Sequence, residues 1–237
     1  MISSPLTKAI KTRIAASLAL GLLLTATAAF ADGDDRNPLT KKADPAVDSA
    51  DAVKTRSGSG NAVAGKDKSI LCQGCHGTNG ISFEPLVPSL AGQYSAYIEK
   101  QIRNYQAGTR SHQIMNAMVG TIADGDATDI AAYFASQQKM KGEGEGNEAG
   151  KELFTRGDMS KLVVACNNCH GARGKGLTPK TSMFPVLGGQ QKGYIRRQLV
   201  NFREGYRTNS PSNVMNKIAR NLTDIEIEQL AEYVSAQ

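Results

Sequence analysis

Residues 70–77 read ILCQGCHG, and residues 164–171 read VACNNCHG. Each stretch contains a Cys-x-x-Cys-His motif, and the motifs begin 94 residues apart, at Cys72 and Cys166. All four cysteines of the chain and two of its three histidines belong to these motifs. Cysteines at i and i+3 of a helical turn point the same way, so each motif collects two sulfurs and one imidazole. The motifs therefore decide both the organisation of the chain and its chemistry.

The repeat extends well beyond the motifs. Three further segments recur in the same order: residues 88–93 (PSLAGQ) as 185–190 (PVLGGQ), Met115-Asn116 as Met215-Asn216, and residues 129–134 as 228–234. Self-similarity at a fixed period indicates duplicated structural units. We predict two domains, over residues 61–137 and 150–237. The Lys-, Glu- and Gly-rich residues 138–149 between them are predicted to be a linker.

The repeated units are predicted to be helical. Apolar residues fall at i, i+4 and i+7 in both copies, as Ile98, Ile102, Tyr105 and as Ile195, Leu199, Phe202. This spacing places them on one helical face.

Helix start signals support the all-α class, since no strand pattern of useful length appears. Thr223 and Glu226 predict a capping box, and Asp124 or Asp126 is a candidate cap in the first copy. The predicted domains have only 77 and 88 residues. Domains of this size often need a bound metal or cofactor to complete their core.

The N-terminus resembles an export signal. Lys8, Lys11 and Arg13 precede an apolar run over residues 14–29, and Ala29-Phe30-Ala31 is a typical cleavage site. The run is short for an uncleaved membrane anchor, which is the rival interpretation. We therefore predict a signal peptide over residues 1–31, a periplasmic location, and a flexible leader over residues 32–60.

The charge balance argues against a nucleic-acid partner. The 28 basic and 22 acidic residues give a formal net charge of +6, and loss of the signal peptide lowers it to +3. Nucleic-acid binding domains are usually far more basic. Peripheral association with a membrane does not depend on net charge alone, and it is kept as an alternative alongside redox partner proteins. Five basic residues of the second copy suit either docking or a solvated helix face: Lys192, Arg196, Arg197, Arg203 and Arg207.

Four interpretations of the Cys-x-x-Cys-His motifs were compared. A disulfide is the default for paired cysteines in an exported protein, and zinc also binds Cys-x-x-Cys. A thioredoxin-like thiol pair needs a strand and helix around the motif, which this sequence lacks. All three leave the histidine without a role. A c-type haem uses every residue, because Cys72, Cys75, Cys166 and Cys169 form thioethers while His76 and His170 ligate iron.

A second axial ligand is sought downstream of each motif. The first copy offers His112, Met115 and Met118, and the second offers Met183 and Met215. Met115 and Met215 occupy equivalent places, each followed by Asn, whereas His112 matches Ser212 and Met118 matches Ile218. The predicted iron ligands are therefore His76 with Met115 and His170 with Met215. The alternative is that these methionines only fill the core.

These segments resemble tandem class I cytochrome c domains, and the pair resembles the exported dihaem cytochrome c4 family. The resemblance covers about residues 61–237, including Gly150-x-x-Leu153-Phe154-x-Arg156-Gly157. It implies an all-α fold around two c-type haems. It also implies that Pro88 and Pro185 present carbonyl groups to the ligating histidines, which would fix ring orientation and basicity. The long leader departs from the family, as does Met115, which lies 39 residues after His76 against 45 for the second pair.

Iron ligated on both faces has no open position for substrate, so the ligand set predicts one-electron transfer. Thioether ligation favours reduced iron. We therefore expect a carrier between a quinol-oxidising complex and, as the resemblance implies, a terminal oxidase. One alternative is an electron-transfer subunit of a periplasmic dehydrogenase or oxidase. A dihaem enzyme of the peroxidase or thiosulfate-oxidising type is another, and it would need His112 or water at the first iron.

Overall fold

The computed structural model describes residues 58–123, 125–177 and 183–237. The predicted signal peptide and most of the leader lie outside these residues. The described residues contain helices and no strand, with one isolated bridge between Asp158 and Val163. The predicted all-α class is therefore confirmed. No described helix has the length and apolar content to span a bilayer.

Within residues 58–123, 125–177 and 183–237, five α-helices follow one another in the same order in each half. In the N-terminal half they are α1 (Ala62–Lys68), α2 (Ile70–His76), α3 (Ser95–Gln106), α4 (Gln113–Val119) and α5 (Asp126–Ser136). In the C-terminal half they are α6 (Glu148–Arg156), α7 (Asn167–His170), α8 (Lys192–Arg203), α9 (Val214–Ala219) and α10 (Asp224–Ser235). The halves are called the N-terminal and C-terminal domains below; their predicted limits, 61–137 and 150–237, stay predictions.

The apolar stripes of α3 and α8 face the two cores. Ile98, Ile102 and Tyr105 are buried against α5 in one domain. Ile195 is buried in the other core with Leu199 half-buried against it, and Phe202 is buried as well. The spacing of these residues in the sequence therefore predicted the inward face of each helix correctly.

In both domains the first and last helices cross at a glycine. A Cβ on Gly65 of α1 would lie 1.9 Å from the carbonyl oxygen of Asp129 in α5. A Cβ on Gly150 of α6 would lie 2.1 Å from the carbonyl oxygen of Gln229 in α10. Only glycine allows so close a backbone approach. Each crossing thus brings the first and last helices of its domain into close backbone contact.

The helix caps agree with the sequence in one domain and differ in the other. Thr223 and Glu226 form the predicted capping box at the start of α10. Asp126, however, is the first residue of α5 and does not cap it; Gly125 occupies the N-cap position with φ +90°. Asp124, the other candidate, lies outside the described residues.

The predicted linker contributes to the core between the domains. The Met140 side chain is buried with Tyr94 of the N-terminal domain and Val186 of the C-terminal domain. The Gly142 N–H donates to the carbonyl oxygen of Gln237 at 2.5 Å. The segment is thus packed at Met140 and Gly142, although most of its residues are exposed and its composition is typical of a flexible linker.

Candidate cofactor sites

In the N-terminal domain, His76 is the last residue of α2 and is buried. Gly77 follows with φ +83°, and a Cβ there would lie 2.1 Å from the Ile81 carbonyl oxygen, so the turn requires glycine. The Nδ1–H of His76 donates to the Pro88 carbonyl oxygen at 2.7 Å. Burial lowers the pKa of His76, which favours the neutral ring. Its Nε2 therefore keeps a lone pair for a metal.

The C-terminal domain repeats this arrangement. His170 ends α7, is buried, and donates from Nδ1 to the Pro185 carbonyl oxygen at 2.9 Å. Burial lowers the pKa of His170 as well. Pro185 follows His170 by 15 residues, against 12 for the first pair. Despite the longer loop of the second copy, a proline carbonyl accepts the hydrogen bond from the equivalent histidine.

None of the four cysteines is joined in a disulfide in the structure. Burial raises the pKa of the Cys72 thiol, and it raises the pKa of Cys166 to about 12. Protonated thiols are poor metal ligands and poor nucleophiles at neutral pH. Within the described residues, no group of three or more His, Cys, Asp or Glu side chains could hold a metal ion. Neither finding supports the zinc or the redox-thiol interpretation.

A cavity of about 600 Å³ adjoins the first motif and extends into the C-terminal domain. Its lining includes the predicted residues of the first site: Cys72, Cys75, His76, Pro88 and Met115. A smaller cavity of about 40 Å³ is lined by Cys166, Cys169, His170 and Met215. His170 and Met215 line both cavities. The predicted ligands of the first site thus line one cavity, and those of the second line a smaller cavity that shares His170 and Met215 with it.

The other candidate ligands also reach the large cavity. His112, Met118 and Met183 all line it. His112, however, caps α4, since its Nδ1 accepts from the Met115 N–H at 3.4 Å. The Met118 and Met183 side chains are exposed, whereas Met115 and Met215 are half-buried. Burial and capping thus favour the two equivalent methionines.

Comparison with known proteins agrees with this geometry. A family model described as Cytochrome c matches residues 58–138 and 147–237. Cytochrome c4 of Pseudomonas aeruginosa is 39% identical over 178 residues, which cover 74% of this chain and 88% of the relative. The chain belongs to the cytochrome c4 family. It accordingly binds two covalent c-type haems and is a dihaem electron-transfer protein.

A solved structure and a second relative extend the comparison. The crystal structure of reduced recombinant cytochrome c4 from Pseudomonas stutzeri is 36% identical, with a TM-score of 0.70. The match covers 75% of this chain and 98% of that chain. A thiosulfate dehydrogenase electron acceptor of Thiomonas intermedia is 30% identical over 73% of this chain and 82% of the relative. Two class I cytochrome c domains are therefore confirmed as the fold.

In this cytochrome c4 family member, the asparagine after each methionine anchors the helix that carries it. Asn116 donates from Nδ2 to the Tyr105 carbonyl oxygen at 2.6 Å. Asn216 donates to the Phe202 and Arg207 carbonyl oxygens, both at 2.7 Å. The sequence revealed the repeated Met-Asn pair but not this role. The asparagines tie α4 to α3 and α9 to α8.

A buried polar network between the domains was missed by the sequence analysis. Arg110 donates from Nη2 to the Tyr194 hydroxyl at 3.0 Å and to Gln198 Oε1 at 3.1 Å, both in the other domain. Arg207 makes the matching bonds to the Tyr97 hydroxyl at 3.0 Å and to Gln101 Oε1 at 3.2 Å. The sequence signal that could have revealed this network was the equivalent placement of Arg110 and Arg207, and of Tyr97 and Tyr194, in the two copies.

The two buried arginines fit a cofactor that carries carboxylates. Both guanidinium groups line the large cavity. In the part of the chain that the structure describes, no ion pair neutralises either of them. A buried charge without a counter-ion is costly, so an anionic group is expected nearby. Haem supplies such groups as its propionates.

Of the five basic residues predicted to serve docking or a solvated face, three pair with acidic side chains at the surface and two lie at the domain interface. Lys192 and Arg196 pair with Glu228, and Arg203 pairs with Asp224 and Glu204. Arg197 donates to the Leu86 carbonyl oxygen at 2.6 Å, across the domain interface. Arg207 is buried in the network described above. The sequence pattern therefore did not distinguish interface residues from surface residues.

Proposed function

We propose that this chain is an exported one-electron carrier with two His/Met-ligated haems. Cys72 and Cys75 attach the first haem, and Cys166 and Cys169 attach the second. His76 and Met115 bind one iron, and His170 and Met215 bind the other. The matching Nδ1 hydrogen bonds from His76 to Pro88 and from His170 to Pro185, beside cavities that the other proposed ligands line, are the observation that carries this proposal.

The haem supplies reversible one-electron redox chemistry at its iron. The protein's residues hold the ligands so that little rearrangement accompanies it. Pro88 and Pro185 accept the Nδ1 protons of the two histidines, which leaves Nε2 directed to the metal. Ligands on both faces leave no position for a substrate, so the chain acts as a carrier and not as an enzyme.

Arg110 and Arg207 are proposed to neutralise the haem carboxylates. Both are buried, line the large cavity and are held by glutamine and tyrosine side chains from both domains. Because these side chains are neutral, the full positive charge stays available to an anion. The network would stabilise both the bound cofactors and the domain interface.

Electrons are proposed to come from a quinol-oxidising complex and to pass to a terminal oxidase in the periplasm. A second donor class is favoured by a specific finding, since one relative is named a thiosulfate dehydrogenase electron acceptor. In that case a periplasmic dehydrogenase reduces the chain directly. Removal of residues 1–31 as a signal peptide is part of this proposal.

The test uses mature protein from a host that attaches haem to exported chains. We expect two haems per chain, uptake of two electrons, and rapid exchange between the haems after pulse-radiolytic reduction. N-terminal sequencing should place the mature end near residue 32. A colourless product, or turnover of peroxide or thiosulfate by the isolated chain, would refute the carrier assignment.

The donor classes can be separated by the same preparation. Oxidised protein is mixed either with quinol and membranes from the native host or with a purified thiosulfate dehydrogenase and thiosulfate. Reduction only in the first mixture supports the quinol-oxidising complex. Reduction only in the second supports the dehydrogenase and overturns the respiratory assignment.

A further inference from the structure

Two buried glutamines reach across the domain interface and bind backbone groups of the opposite domain. Gln93 donates from Nε2 to the Val186 carbonyl oxygen at 2.8 Å, and its Oε1 accepts from the Val186 N–H at 2.9 Å. Gln190 donates from Nε2 to the Ser89 carbonyl oxygen at 2.8 Å, and its Oε1 accepts from the Ser89 N–H at 2.8 Å. Each side-chain amide thus makes two hydrogen bonds to one residue.

The residues that these glutamines bind directly follow the two prolines of the haem sites. The Ser89 N–H and the Pro88 carbonyl belong to the same planar peptide group. Gln190 therefore accepts a hydrogen bond from the peptide whose oxygen accepts the Nδ1 proton of His76. Gln93 has the same relation to His170, through the peptide between Pro185 and Val186.

A hydrogen bond to the N–H of a peptide polarises its carbonyl and makes the oxygen a better acceptor. The bond from the histidine Nδ1–H to that oxygen is then stronger and better oriented. A histidine ligand that donates to a stronger acceptor is more basic toward its metal. Two hydrogen bonds and one peptide group therefore connect the Gln190 amide of the C-terminal domain to the ring of His76. The peptide group is the one between Pro88 and Ser89.

Local contacts hold both glutamines in position. Gln93 Oε1 also accepts from the Tyr94 N–H at 3.1 Å, and Gln190 Oε1 accepts from the Gln191 N–H at 3.0 Å. Gln190 Nε2 lies 3.3 Å from the Met140 sulfur. The preceding glycines, Gly92 and Gly189, have φ +64° and +84°. The backbone turn therefore directs each glutamine out of its own domain.

We propose that Gln190 is a positioning residue for His76 and that Gln93 is a positioning residue for His170. Each haem site is then completed by the domain that does not contain it. This inference rests on the proposed function, because it assumes that the two histidines ligate iron. It goes further, in that the strength of each iron ligand depends on the packing of the two domains.

The test exchanges each glutamine for a residue of similar volume without an amide, Gln190→Met and Gln93→Met, in the full holoprotein. The main readout is the solvent exchange rate of the two ring Nδ1 protons, measured by NMR on reduced protein. We expect Gln190→Met to accelerate exchange at His76 by about tenfold while His170 keeps its wild-type rate. Gln93→Met should do the reverse.

The midpoint potentials provide a second readout of the same crossed pattern. A weaker bond to the proline carbonyl makes the histidine a poorer donor, which favours reduced iron. Gln190→Met should therefore raise the potential of the N-terminal haem only, and Gln93→Met that of the C-terminal haem only. A variant that merely loosened the interface would move both.

Gln191→Met is the matched control. Gln191 also donates across the interface, to the Ser82 carbonyl oxygen at 2.5 Å, but it does not contact either proline peptide. Wild-type exchange rates at both histidines are expected. Equal acceleration in Gln191→Met and Gln190→Met, or acceleration within the substituted domain itself, would overturn the proposal.

Gln190→Glu keeps the test decisive if Gln190→Met does not incorporate haem. A glutamic acid retains an acceptor oxygen for the Ser89 N–H, and its buried acid form can donate to the Ser89 carbonyl oxygen. Wild-type exchange at His76 is expected, and rapid exchange there would contradict the proposal. Failure of the proposed function would appear separately, as wild-type protein without two His/Met-ligated haems.

Discussion

The N-terminal and C-terminal domains share one arrangement of helices, but they shield their Cys-x-x-Cys-His motifs to different degrees. Ile70 and Leu71, which precede the first motif, are each 64% exposed. Val164 in the second copy is 38% exposed, and Ala165 beside it is half-buried. Cys75 is exposed, whereas Cys169 is half-buried. The residues around the first motif are therefore more exposed than those around the second, although His76 and His170 are similarly buried.

This difference distinguishes the effect of the iron ligands, which is on the type of chemistry, from the effect of the surrounding residues, which is on the redox potential. Identical ligands predict the same type of chemistry in both domains. Solvent exposure stabilises oxidised iron, because the oxidised centre carries more positive charge. We therefore expect two carriers of the same type, with the lower potential at the N-terminal haem.

The largest effect is expected from substitution of Met115 or Met215, the methionines at equivalent positions in the two domains. Met115→Leu or Met215→Leu should each remove half of the weak sulfur-to-iron absorption band of the oxidised protein. The potential of the substituted haem should fall by on the order of 0.2 V, since axial ligands set haem potentials over a range of about 0.8 V. Absorption spectroscopy and redox titration provide the measurements.

The controls for this prediction are Met118→Leu and Met183→Leu, whose side chains line the same cavity but are exposed. Both should keep the full band. Loss of half the band in Met118→Leu, with Met115→Leu unaffected, would reassign the N-terminal ligand and break the equivalence of the domains.

The next effect concerns the glycine crossings, at which the domains are most alike. Gly65→Ala and Gly150→Ala each force a Cβ into a backbone carbonyl of the last helix. Overpacking of this kind costs about 1–3 kcal/mol of the free energy of unfolding. Chemical denaturation of the holoprotein measures it.

Gly120→Ala is the matched control for the crossings. Its Cβ would approach nothing closer than 3.4 Å, and its φ is −64°. We expect a change within about 0.5 kcal/mol, as for other tolerated substitutions. Equal losses in all three variants would show that the crossings carry no special constraint.

A smaller effect tests the exposure difference itself. Leu71 lines the large cavity, so Leu71→Ala should admit water and lower the potential of the N-terminal haem by on the order of tens of millivolts. Ile70→Ala is the control, because Ile70 is equally exposed but is not part of the lining. Spectroelectrochemistry that resolves both haems is the measurement. An unchanged gap between the two potentials in Leu71→Ala would count against solvent exposure as its cause.

The smallest expected effect is a loss of folding stability in acid that depends on Asp129 of the N-terminal domain. A hydrogen bond from Lys68 at 2.5 Å and another from the Asn61 N–H at 2.8 Å lower the pKa of Asp129. The aligned residue of the other domain is Gln229, which does not titrate.

The sign of this effect follows from the lowered pKa. The carboxylate stabilises the folded state above its unfolded-state pKa, and this stabilisation is lost as the pH falls through the folded-state pKa. Asp129→Asn should therefore lower the melting temperature slightly at neutral pH and not at all in acid. A difference between Asp129→Asn and wild type that persists unchanged in acid would contradict this origin.

The repeat in the sequence predicted more of the fold than of the interface. Helix periodicity and the capping box at Thr223 are local signals, so they located the inward faces and a helix start. The partners Gln190 and Ser89 are 101 residues apart, and no local pattern joins them. Arginine is usually exposed at the surface, but Arg207 is buried by contacts with the other domain. Helical periodicity in the sequence therefore does not identify polar residues that become buried at an interface.

The proposed ligand sets were accessible from the sequence, because thioether attachment and iron ligation require particular residue types at a fixed spacing. The exposure difference was not, since it depends on how Leu71 and Ala165 pack in three dimensions. Met140 makes the same point, because its segment has the composition of a linker and its side chain is buried.

The most direct test is the sulfur-to-iron band of oxidised wild-type protein, quantified per haem after haem counting. We predict two haems per chain and a full-intensity band for each, with Met115 and Met215 as the ligands. Half intensity would show that one iron lacks methionine, and it would contradict the account of two equivalent carriers in different surroundings.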